Sequence, residues 1–527
     1  MKFSKHGGAA ALLTLGAALV AAGCGSGSGG GASDAVKDSK ALDYIPKSAI
    51  GYMTLDTDFK GDNWKQFDKL AKGFKADFTS VADQIDKESN KGSDKVDFSK
   101  DVDPWLGDHA GAALLSASSS KDVKFVVWAE IDDKSKFEGF AKKEDLKKGK
   151  KVGDFDVWTG KDKTFVGVSD DLAFIAPDKA TLESTLKYDG DSITDAKGVD
   201  KVAGEVGDDT LAAVVVSGDG VRDALKNVKD QNLETLTKSK NVKDFQGLAM
   251  GVSAEDKGFH VHASGESNAK VDAKQGGTDL LQTLPEDTIL AIGGQDLGGT
   301  LKTGIEGIGE SNAQVQQGIG AITGALGVDL DDIATAFSGE FALGVNADDA
   351  GLQSLVGGVA GAAMGGGASS LTASNLLSSG SVTLAFENGT TTTDTLDKLV
   401  GSVGGLTGGG APTVGKAGDF ETKTLDVRGL PVTAASSKDV AALSIGKDVF
   451  TTWGSKKLNG NKAFSEAWDA SGAPDDVSLS FFLDWPRVAK LMNVKEDDKV
   501  KAGGWVGWAS AKDTSSTFDV FMHVKDA

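Results

Sequence analysis

Cys24 is the only cysteine in this chain of 527 residues, and its thiol is the side chain best suited to covalent modification. It follows a basic start with Lys2 and Lys5, an apolar run from Ala9 to Val20, and the small residues 21–23. This order is typical of a secretory signal, and the apolar run is too short to span a bilayer as a helix. The sequence therefore predicts an exported protein, and with no second cysteine it can form no internal disulfide.

Ala21-Ala22-Gly23-Cys24 resembles the lipobox of bacterial lipoproteins, in which the cysteine receives a diacylglyceryl group and becomes the new N-terminus. A Gly/Ser-rich stretch follows, and its root-mean-square reach is about 20 Å. The resemblance implies a signal peptide over 1–23, lipid attachment at Cys24, and a tether over 24–40. It also implies a location on the outer face of the bacterial cytoplasmic membrane, with the lipid as the contact to that membrane. The alternative is an ordinary signal peptide in which the cysteine is incidental.

Two histidines are the first candidates for metal binding. His260 and His262 lie two residues apart on a predicted strand, so their side chains share one face, but no third ligand is apparent. The alternative is a solvated strand face.

The acidic run 329–332 with Glu340 imitates a calcium loop in length but lacks the central glycine and the fifth-position oxygen. Gly318-Ile319-Gly320 does not continue as a phosphate-binding fingerprint. We therefore expect no metal and no cofactor.

Two of the three arginines occur at matching points, in Asp219-Gly220-Val221-Arg222 and Asp484-Trp485-Pro486-Arg487. Each aspartate ends a predicted strand, where it is expected to cap the next helix and to pair with its arginine across the first turn. The alternative is recognition of a carboxylate or phosphate by the planar guanidinium.

Motifs for catalysis are missing from the sequence. It contains no G-x-S-x-G elbow, no H-E-x-x-H pair and no Walker loop, and its one thiol is assigned to the lipid. We therefore expect that the protein is not an enzyme. A hydrolase is the less favoured reading, since it would require serine or carboxylate groups that converge in a pocket.

The charge of the chain excludes one class of partner. The formal net charge is −21, which repels nucleic acid, so no nucleic-acid partner is expected. A folded part of nearly 490 residues also exceeds what one hydrophobic core usually serves, which predicts two or more domains.

An internal duplication is the main clue to how the chain is organised. Short motifs of the first half recur in the second half in the same order. They include 44–50 with 283–289, 105–108 with 337–340, 153–155 with 418–420, and 208–216 with 475–483. The sequence therefore predicts two tandem repeat domains, over 41–266 and 279–527, joined by a polar segment that would allow hinge motion.

The order of elements within a repeat predicts an α+β fold. Apolar residues recur at helical spacing from Trp64 to Ile85, whereas short apolar runs between Phe155 and Ile175 are separated by turns typical of antiparallel hairpins. We expect each repeat to be a mainly antiparallel sheet with helices packed on one face. A Gly-rich insertion at about 350–379 interrupts the second repeat. It is interpreted as a low-complexity loop, and the alternatives are a lip that touches membrane or ligand, or a packed helix.

Three stretches of the sequence are informative together: Leu42-Asp43-Tyr44-Ile45-Pro46, the following Gly51 to Asp56, and Pro104-Trp105-Leu106-Gly107. They resemble the bacterial family called domain of unknown function 3352. The resemblance covers most of residues 40 to 525. That family has no established activity, so the resemblance implies an envelope or secreted location and no site residues.

These observations leave two functional classes. The favoured one is a noncatalytic, lipid-anchored envelope protein that binds or scaffolds another envelope protein. The alternative is a carrier of lipid or another apolar ligand held between sheet and helices. Tryptophans such as Trp105, Trp128, Trp158, Trp485, Trp505 and Trp508 would then line a cavity, or they would belong to the core.

Overall fold

The structure is a computed structural model, and it describes residues 36–525 with gaps. The gaps are 38, 75–78, 90–95, 120–121, 162, 208, 228–238, 272, 277, 312–319, 321–322, 325–326, 348–379, 408–409, 454 and 492–501. The predicted signal peptide, the lipid attachment at Cys24, most of the tether, Gly318-Ile319 and the Gly-rich insertion all lie outside the described residues.

Antiparallel strands form the framework of the molecule, and every strand pairing in the described residues is antiparallel. The strands of the first half are β1 Gly51–Asp56, β2 Leu106–Ser119, β3 Asp122–Ile131, β4 Lys147–Lys148, β5 Asp156–Thr159, β6 Phe165–Val168, β7 Leu172–Ala176, β8 Thr210–Ser217, β9 Phe245–Glu255 and β10 Gly258–Ser267. Those of the second half are β11 Thr288–Gln295, β12 Glu340–Ala347, β13 Gly380–Glu387, β14 Thr413–Ala417, β15 Phe420–Val427, β16 Leu430–Ser436, β17 Val440–Gly446, β18 Leu479–Leu483, β19 Ala502–Lys512 and β20 Ser515–Val524.

The strands follow the same order in both halves. The first half reads β4-β5-β6-β7-β3-β2-β1-β8-β9-β10. The second half reads β14-β15-β16-β17-β13-β12-β11-β18-β19-β20. The halves meet where β10 pairs with β20, from Gly258 opposite His523 to Glu266 opposite Ser515. The described strands therefore form one continuous sheet with this pairing at its centre.

Helices connect the strands on both sides of the sheet. In the first half they are α1 Asp62–Phe74, α2 Val81–Ser89, α3 Lys134–Lys143, α4 Lys179–Leu186, α5 Val199–Glu205, α6 Gly218–Asn227 and α7 Lys240–Asp244. In the second half they are α8 Asp279–Thr283, α9 Leu297–Ser311, α10 Leu330–Ala336, α11 Thr390–Thr407, α12 Lys462–Ser471 and α13 Trp485–Leu491.

Local sequence explains where several helices begin. Asp133 accepts hydrogen bonds from the backbone N–H groups of Ser135 and Lys136, at 3.0 and 3.1 Å, and so caps α3. Asn461 caps α12 in the same way, with its side-chain oxygen 2.8 Å from the N–H of Ala463. At its other end α12 stops at Gly472, which adopts φ +64°.

The α+β character and the antiparallel sheet are confirmed, but the expected placement of helices on one face must be corrected. Adjacent residues of β7 point to opposite faces, and Phe174 and Ile175 belong to two different cores. We call face 1 the side of Phe174, where α4 and α5 pack in the first half and α8 and α12 in the second. Face 2 is the side of Ile175, covered by α1, α3, α10 and α11.

Helices pack on both faces because the strands bury side chains on both faces. Every residue of β7, Leu172–Ala176, is buried, and a strand that is buried on both faces has no polar alternation. The core on face 2 also crosses between the halves, because it includes Met522 and Val524 of β20. In the part of the chain that is described, no helix is long and apolar enough to cross a membrane.

Candidate functional site

The centre of the sheet is marked by a pair of titratable side chains. His262 is the fifth residue of β10 and Asp519 is the fifth residue of β20, and the two residues face each other in the ladder. Counted from the turns that precede β10 and β20, they therefore occupy the same position in each half. The register of the β10–β20 pairing is therefore symmetric about these two residues.

A chain of hydrogen bonds crosses this centre on face 1. Asp519 Oδ1 lies 2.8 Å from His262 Nδ1 and 2.9 Å from His260 Nε2. His260 Nδ1 in turn lies 2.7 Å from Glu255 Oε1. The rings of Trp508 and Phe521 pack beside His260, with centroids 5.7 and 6.5 Å away. The cluster therefore ties the two halves together through charged groups in a largely apolar surrounding.

The electrostatics of the cluster follow from its burial and its hydrogen bonds. Burial disfavours a charged His260, but the hydrogen bonds to Asp519 and Glu255 outweigh it and raise the pKa of His260 to about 9. Burial likewise works against the charge on Asp519, yet hydrogen bonds from both histidines hold its pKa below the ordinary value. At neutral pH His260 is therefore protonated and donates to a carboxylate from each ring nitrogen.

This arrangement is an ion-pair network rather than a set of metal ligands. Both nitrogens of His260 are engaged by carboxylates, so neither offers a lone pair to a cation. Among the residues that the structure describes, no group of three or more His, Cys, Asp or Glu side chains is arranged to hold a metal ion. The sequence correctly placed His260 and His262 on one face. It gave no sign of Asp519, because only the β10–β20 pairing brings that residue close.

The two arginine motifs serve local structure. Asp484 accepts a hydrogen bond from the backbone N–H of Arg487 at 3.2 Å, as a capping residue does. The guanidinium of Arg487 donates to the carbonyl oxygens of Asp287 and Ala347, at 2.7 and 2.9 Å. Arg222 pairs with Asp219 at 2.6 Å and also donates to the carbonyl oxygen of Phe245. Both guanidinium groups thus bind backbone carbonyls at strand ends.

The acidic residues that imitated a calcium loop in length accept hydrogen bonds from backbone N–H groups. Asp329 caps α10, with its carboxylate 2.7 Å from the N–H of Asp332. Glu340 accepts a hydrogen bond from the N–H of Leu280 at 2.8 Å, near Asp279 and Glu387. Burial raises the pKa of Glu340 to about 7, and the two neighbouring carboxylates add to the effect.

A buried acidic group also lies in the first half, on the strand opposite to the one that Glu340 would suggest. Asp56, the last residue of β1, pairs with His109, just as Gln295, the last residue of β11, pairs with Glu340. Burial raises the pKa of Asp56 to about 6. These carboxylates lie at strand ends beside other charged groups, so their protonation changes between about pH 6 and 7.

The tryptophans belong mainly to the core. Trp105, Trp128, Trp158 and Trp508 are buried, while Trp485 and Trp505 stack with ring centroids 4.6 Å apart. Trp105 and Trp128, with Phe137 of α3, line an apolar cavity of about 40 Å³. Ligand pockets usually measure about 300 to 1,000 Å³, so this cavity is too small for a lipid.

An uncharged surface lies on face 2, on the other side of the sheet from the histidines. Three rows of residues run across β8, β9, β10, β20, β19 and β18, and all of them are uncharged. Row one is Ala212, Val252, Val261, Val520, Gly507 and Phe481; row two is Val214, Met250, Ala263, Phe518, Ala509 and Leu479; row three is Val216, Leu248, Gly265, Ser516 and Ala511.

Part of this surface is open to solvent. Residues of the first row pack against the core under α1, but Val214, Leu248, Met250 and Phe518 are each 41–43% exposed. We call these four residues, with the small side chains between them, the apolar patch. They are four of the eight large apolar side chains that the described residues leave exposed, and a cluster of exposed apolar side chains is typical of an interaction site.

The sequence analysis missed the apolar patch. Val214 and Phe518 lie far apart in the chain, and each strand read alone resembles an ordinary core strand. The sequence pattern that could have indicated the patch lies in β9. There the large apolar residues Leu248, Met250 and Val252 alternate with small residues, and the strand has no polar face.

Comparisons with known proteins give a family but no activity. A family model described as "Protein of unknown function (DUF3352)" matches residues 7–499. No curated protein matches the chain. Among solved structures, crystal forms III and I of TP0453 are 11% and 12% identical, each with a TM-score of 0.23, 45% of this chain covered and 82% of the other. A likeness at that level supports no conclusion about fold or role.

Proposed function

Because the chain belongs to the family described as protein of unknown function (DUF3352), which supplies no activity, we propose a role from its own residues. The protein is a lipid-anchored, extracytoplasmic envelope protein that binds or scaffolds another protein without catalysis. The observation that carries the binding role is the apolar patch, an uncharged and partly exposed sheet surface in a strongly acidic chain.

The proposed anchor is compatible with the place where the described chain starts. The carbonyl oxygen of Val36 accepts a hydrogen bond from the buried Tyr52 hydroxyl, and Lys40 pairs with Asp171 at 2.6 Å. The contact to Tyr52 lies on face 1, since Tyr52 belongs to the core of that face. A tether from Cys24 to this point reaches about 20 Å. Face 2, with the apolar patch, would then point away from the lipid.

We also infer that the two halves descend from one duplicated unit. Their strand orders coincide, and Ser39 and Thr278 occupy the N-cap positions of the 3-10 helix Lys40–Tyr44 before β1 and of α8 before β11. The matching positions of His262 and Asp519 support the same origin. A duplicated sheet creates a broad surface at its centre without any need for reactive residues.

The carrier of an apolar ligand remains the second candidate, and it is less favoured. Its supporting observation is the cavity beside Trp105 and Trp128, whose lining is apolar. At about 40 Å³ it would have to expand several-fold to hold even a small ligand.

The anchor is tested by expressing the full chain and a Cys24→Ser variant in a bacterial host with a lipoprotein pathway. We expect the unaltered chain in the membrane fraction with a diacylglyceryl mass on Cys24, and the variant without that mass. An unmodified thiol in the exported protein would refute the anchor.

The binding role is tested by photo-crosslinking in the same cells. A photoreactive phenylalanine analogue replaces Phe518 in the apolar patch, and in the control it replaces Val414, an exposed apolar residue on β14. A discrete protein adduct from position 518 alone is expected. Equal patterns from both positions would contradict a dedicated binding surface.

A further inference from the structure

We propose that the lysine-rich edge of the sheet at β4 binds the anionic headgroups of a lipid surface and thereby orients the anchored protein. The inference rests on the proposed lipid anchor and adds an electrostatic contact to the same membrane. It is carried by a local excess of positive charge in an acidic chain, and by the place where the N-terminal segment packs on the fold.

Positive charge is concentrated at the edge strand β4. Residues 142–151 contain six lysines and two acidic residues, which gives a local net charge of +4 in a chain whose net charge is −21. All six lysines are exposed. Two more exposed lysines, Lys161 and Lys163, lie in the turn between β5 and β6. We call these eight residues the lysine cluster.

Strand pairing and an ion pair bring three segments of the chain together in this cluster. Lys147 of β4 faces Thr159, the last residue of β5, and the turn that contains the two further lysines follows directly. Lys148 Nζ lies 3.0 Å from Glu138 Oε1, which joins β4 to α3. The end of α3, strand β4 and the β5–β6 turn therefore carry their lysines at one edge of the sheet.

Half of the lysine cluster is explained by ion pairs within the fold. The carboxylates of four acidic residues pair with Lys143, Lys148, Lys151 and Lys161. The other half makes no ion pair with any described residue, and it consists of Lys142, Lys147, Lys150 and Lys163. Lys163 adopts φ +67°, which favours glycine or asparagine, so the turn itself does not account for a lysine there. Four exposed positive charges therefore remain for a partner.

Protection of the sheet edge does not account for so many lysines. Lysine on an edge strand does hinder pairing with other chains. In the second half the corresponding strand β14 is also at the edge of the described sheet, and its five residues contain one lysine, Lys416. Strand β4 has only two residues and needs less protection, yet it lies among six lysines. The lysines of the first half therefore have a further use.

The N-terminal segment of the fold contacts the base of the lysine cluster. The rings of Tyr44 and Phe155 lie edge to face with centroids 5.4 Å apart. The carbonyl oxygen of Phe155 accepts a hydrogen bond from the N–H of Val152 at 3.0 Å, and Lys150 and Lys151 come directly before Val152. The chain that leads from the proposed anchor into the fold thus ends beside the cluster, so the two belong to the same side of the molecule.

The short tether makes a lipid surface the favoured partner over a soluble polyanion. A reach of about 20 Å from Cys24 keeps the fold next to the headgroups, which gives them a high effective concentration at the cluster. The negative charge of the whole chain does not prevent this contact, because charges more than about 8 Å away are screened at physiological ionic strength. Each lysine close to an anionic surface strengthens binding about five-fold.

The test uses residues 24–527 with Cys24→Ser, which contain every described residue and carry no lipid. Vesicles of phosphatidylcholine are compared with vesicles in which about one third of the lipid is anionic phosphatidylglycerol. Binding is measured by co-sedimentation at low salt and at about 0.3 M salt. We expect binding to the anionic vesicles at low salt, its loss at high salt, and no binding to phosphatidylcholine alone. Absence of binding to the anionic vesicles at low salt would overturn the proposal.

A matched pair of variants separates the lysine cluster from net charge. Replacement of Lys142, Lys147, Lys150 and Lys163 by glutamine should weaken binding to the anionic vesicles about ten-fold or more. If that variant does not fold, Lys147→Gln with Lys150→Gln replaces it, and about a ten-fold loss is expected. The control changes net charge equally at four exposed lysines of the second half, Lys398, Lys438, Lys457 and Lys462. It should keep the affinity of the unaltered chain, and equal losses in both variants would overturn the proposal.

A soluble polyanion is the other partner that the charge allows. Short-chain polyphosphate is titrated against the unaltered chain, and its affinity is compared with that of the anionic vesicles at equal concentration of negative charge. Tighter binding of the vesicles is expected, because a surface meets several lysines at once. Tighter binding of polyphosphate would overturn the proposal in favour of a soluble polyanion.

The orientation is measured in the acylated full chain, in which an added cysteine is the only free thiol. A donor dye is attached to Asp154→Cys, beside the lysine cluster, or to Val414→Cys, on the opposite edge strand β14. Energy transfer to an acceptor on the lipid headgroups should be greater from position 154, and the four-lysine variant should remove the difference. Equal transfer from both positions in the unaltered protein would overturn the orienting role.

Failure of this proposal and failure of the anchor are distinguishable. An acyl mass on Cys24 without vesicle binding would leave the anchor in place and refute the role of the lysine cluster. Vesicle binding by a protein whose Cys24 thiol is unmodified would refute the anchor and leave the lysine cluster as a peripheral membrane contact.

Discussion

His262 of β10 and Asp519 of β20 face each other at the centre of the sheet, with Nδ1 and Oδ1 2.8 Å apart. His260 Nε2 also lies 2.9 Å from Asp519 Oδ1, so one buried aspartate accepts hydrogen bonds from two imidazoles. In the described residues this is the only place where the two halves pair strand to strand. Two predictions concern this site, and two concern other positions of the sheet and its helices.

Replacement of Asp519 by asparagine should destabilise the protein strongly. The change leaves two partly buried histidines without their shared anion, which costs about 3 kcal/mol for a buried pair. Urea unfolding at pH 7 measures it. Asp513→Asn is the matched control, because Asp513 lies on the exposed turn between β19 and β20 and should change stability by less than about 0.5 kcal/mol. Similar losses in both variants would contradict a special role for Asp519.

Stability should fall as the pH rises from about 6.5 to about 9. The pKa of His260 is raised from 6.5 in the unfolded chain to about 9 in the folded one, so the folded state binds the extra proton in this window. The contribution is complete below pH 6.5 and lost above pH 9, and it amounts to at most about 3 kcal/mol. The difference in unfolding free energy between the unaltered chain and His260→Gln should therefore shrink with rising pH. A constant difference would refute the assignment.

Glu340→Gln should stabilise the protein at pH 7.5. Burial raises the pKa of Glu340 from 4.5 to about 7, so the folded state loses stability as the pH rises through that interval. Glutamine keeps an acceptor for the N–H of Leu280 and removes the buried charge. Allowing for partial exposure, the gain is about 1 kcal/mol. Thermal unfolding at pH 4.5 and 7.5 checks it, and a gain of equal size at both pH values would speak against the mechanism.

Gly111→Ala should destabilise the protein by about 2 kcal/mol because of overpacking. A Cβ at this position of β2 would collide with the carbonyl oxygen of Met53 and with the indole ring of Trp128. Gly139 in α3 is the opposite case, since nothing lies within 4 Å of its added Cβ. Gly139→Ala should therefore stabilise the helix by about 0.5–1 kcal/mol. Chemical unfolding of both variants tests the pair, and the same sign for both would contradict the packing described.

Much of the strand pattern was accessible to sequence reasoning because turns and short apolar runs are local signals. The runs around Phe155, Phe165 and Leu172 were predicted as hairpins, and they are β5, β6 and β7. The capping role of Asp484 was predicted from its position before Trp485-Pro486, and the hydrogen bond to Arg487 N–H bears it out. Both predictions depend on neighbours within a few residues.

The features that were missed depend on pairings between distant segments. Helices were expected on one face because the strands were read as half-buried, whereas β7 is buried on both. The partner of His260 and His262 was invisible because Asp519 comes from the other half. The apolar patch was missed for the same reason, since its members come from β8, β9 and β20. The sequence of a single strand does not indicate which distant strand it pairs with.

The pairing of β10 with β20 has a consequence for how the molecule is made. β20 is the last described strand along the chain, yet it lies in the middle of the sheet. During synthesis the first half therefore has β10 as an open edge until the second half has been made. Such an edge is a template for pairing with other chains. Folding of the second half therefore has to be faster than self-association of the first half, or a chaperone has to cover the open edge.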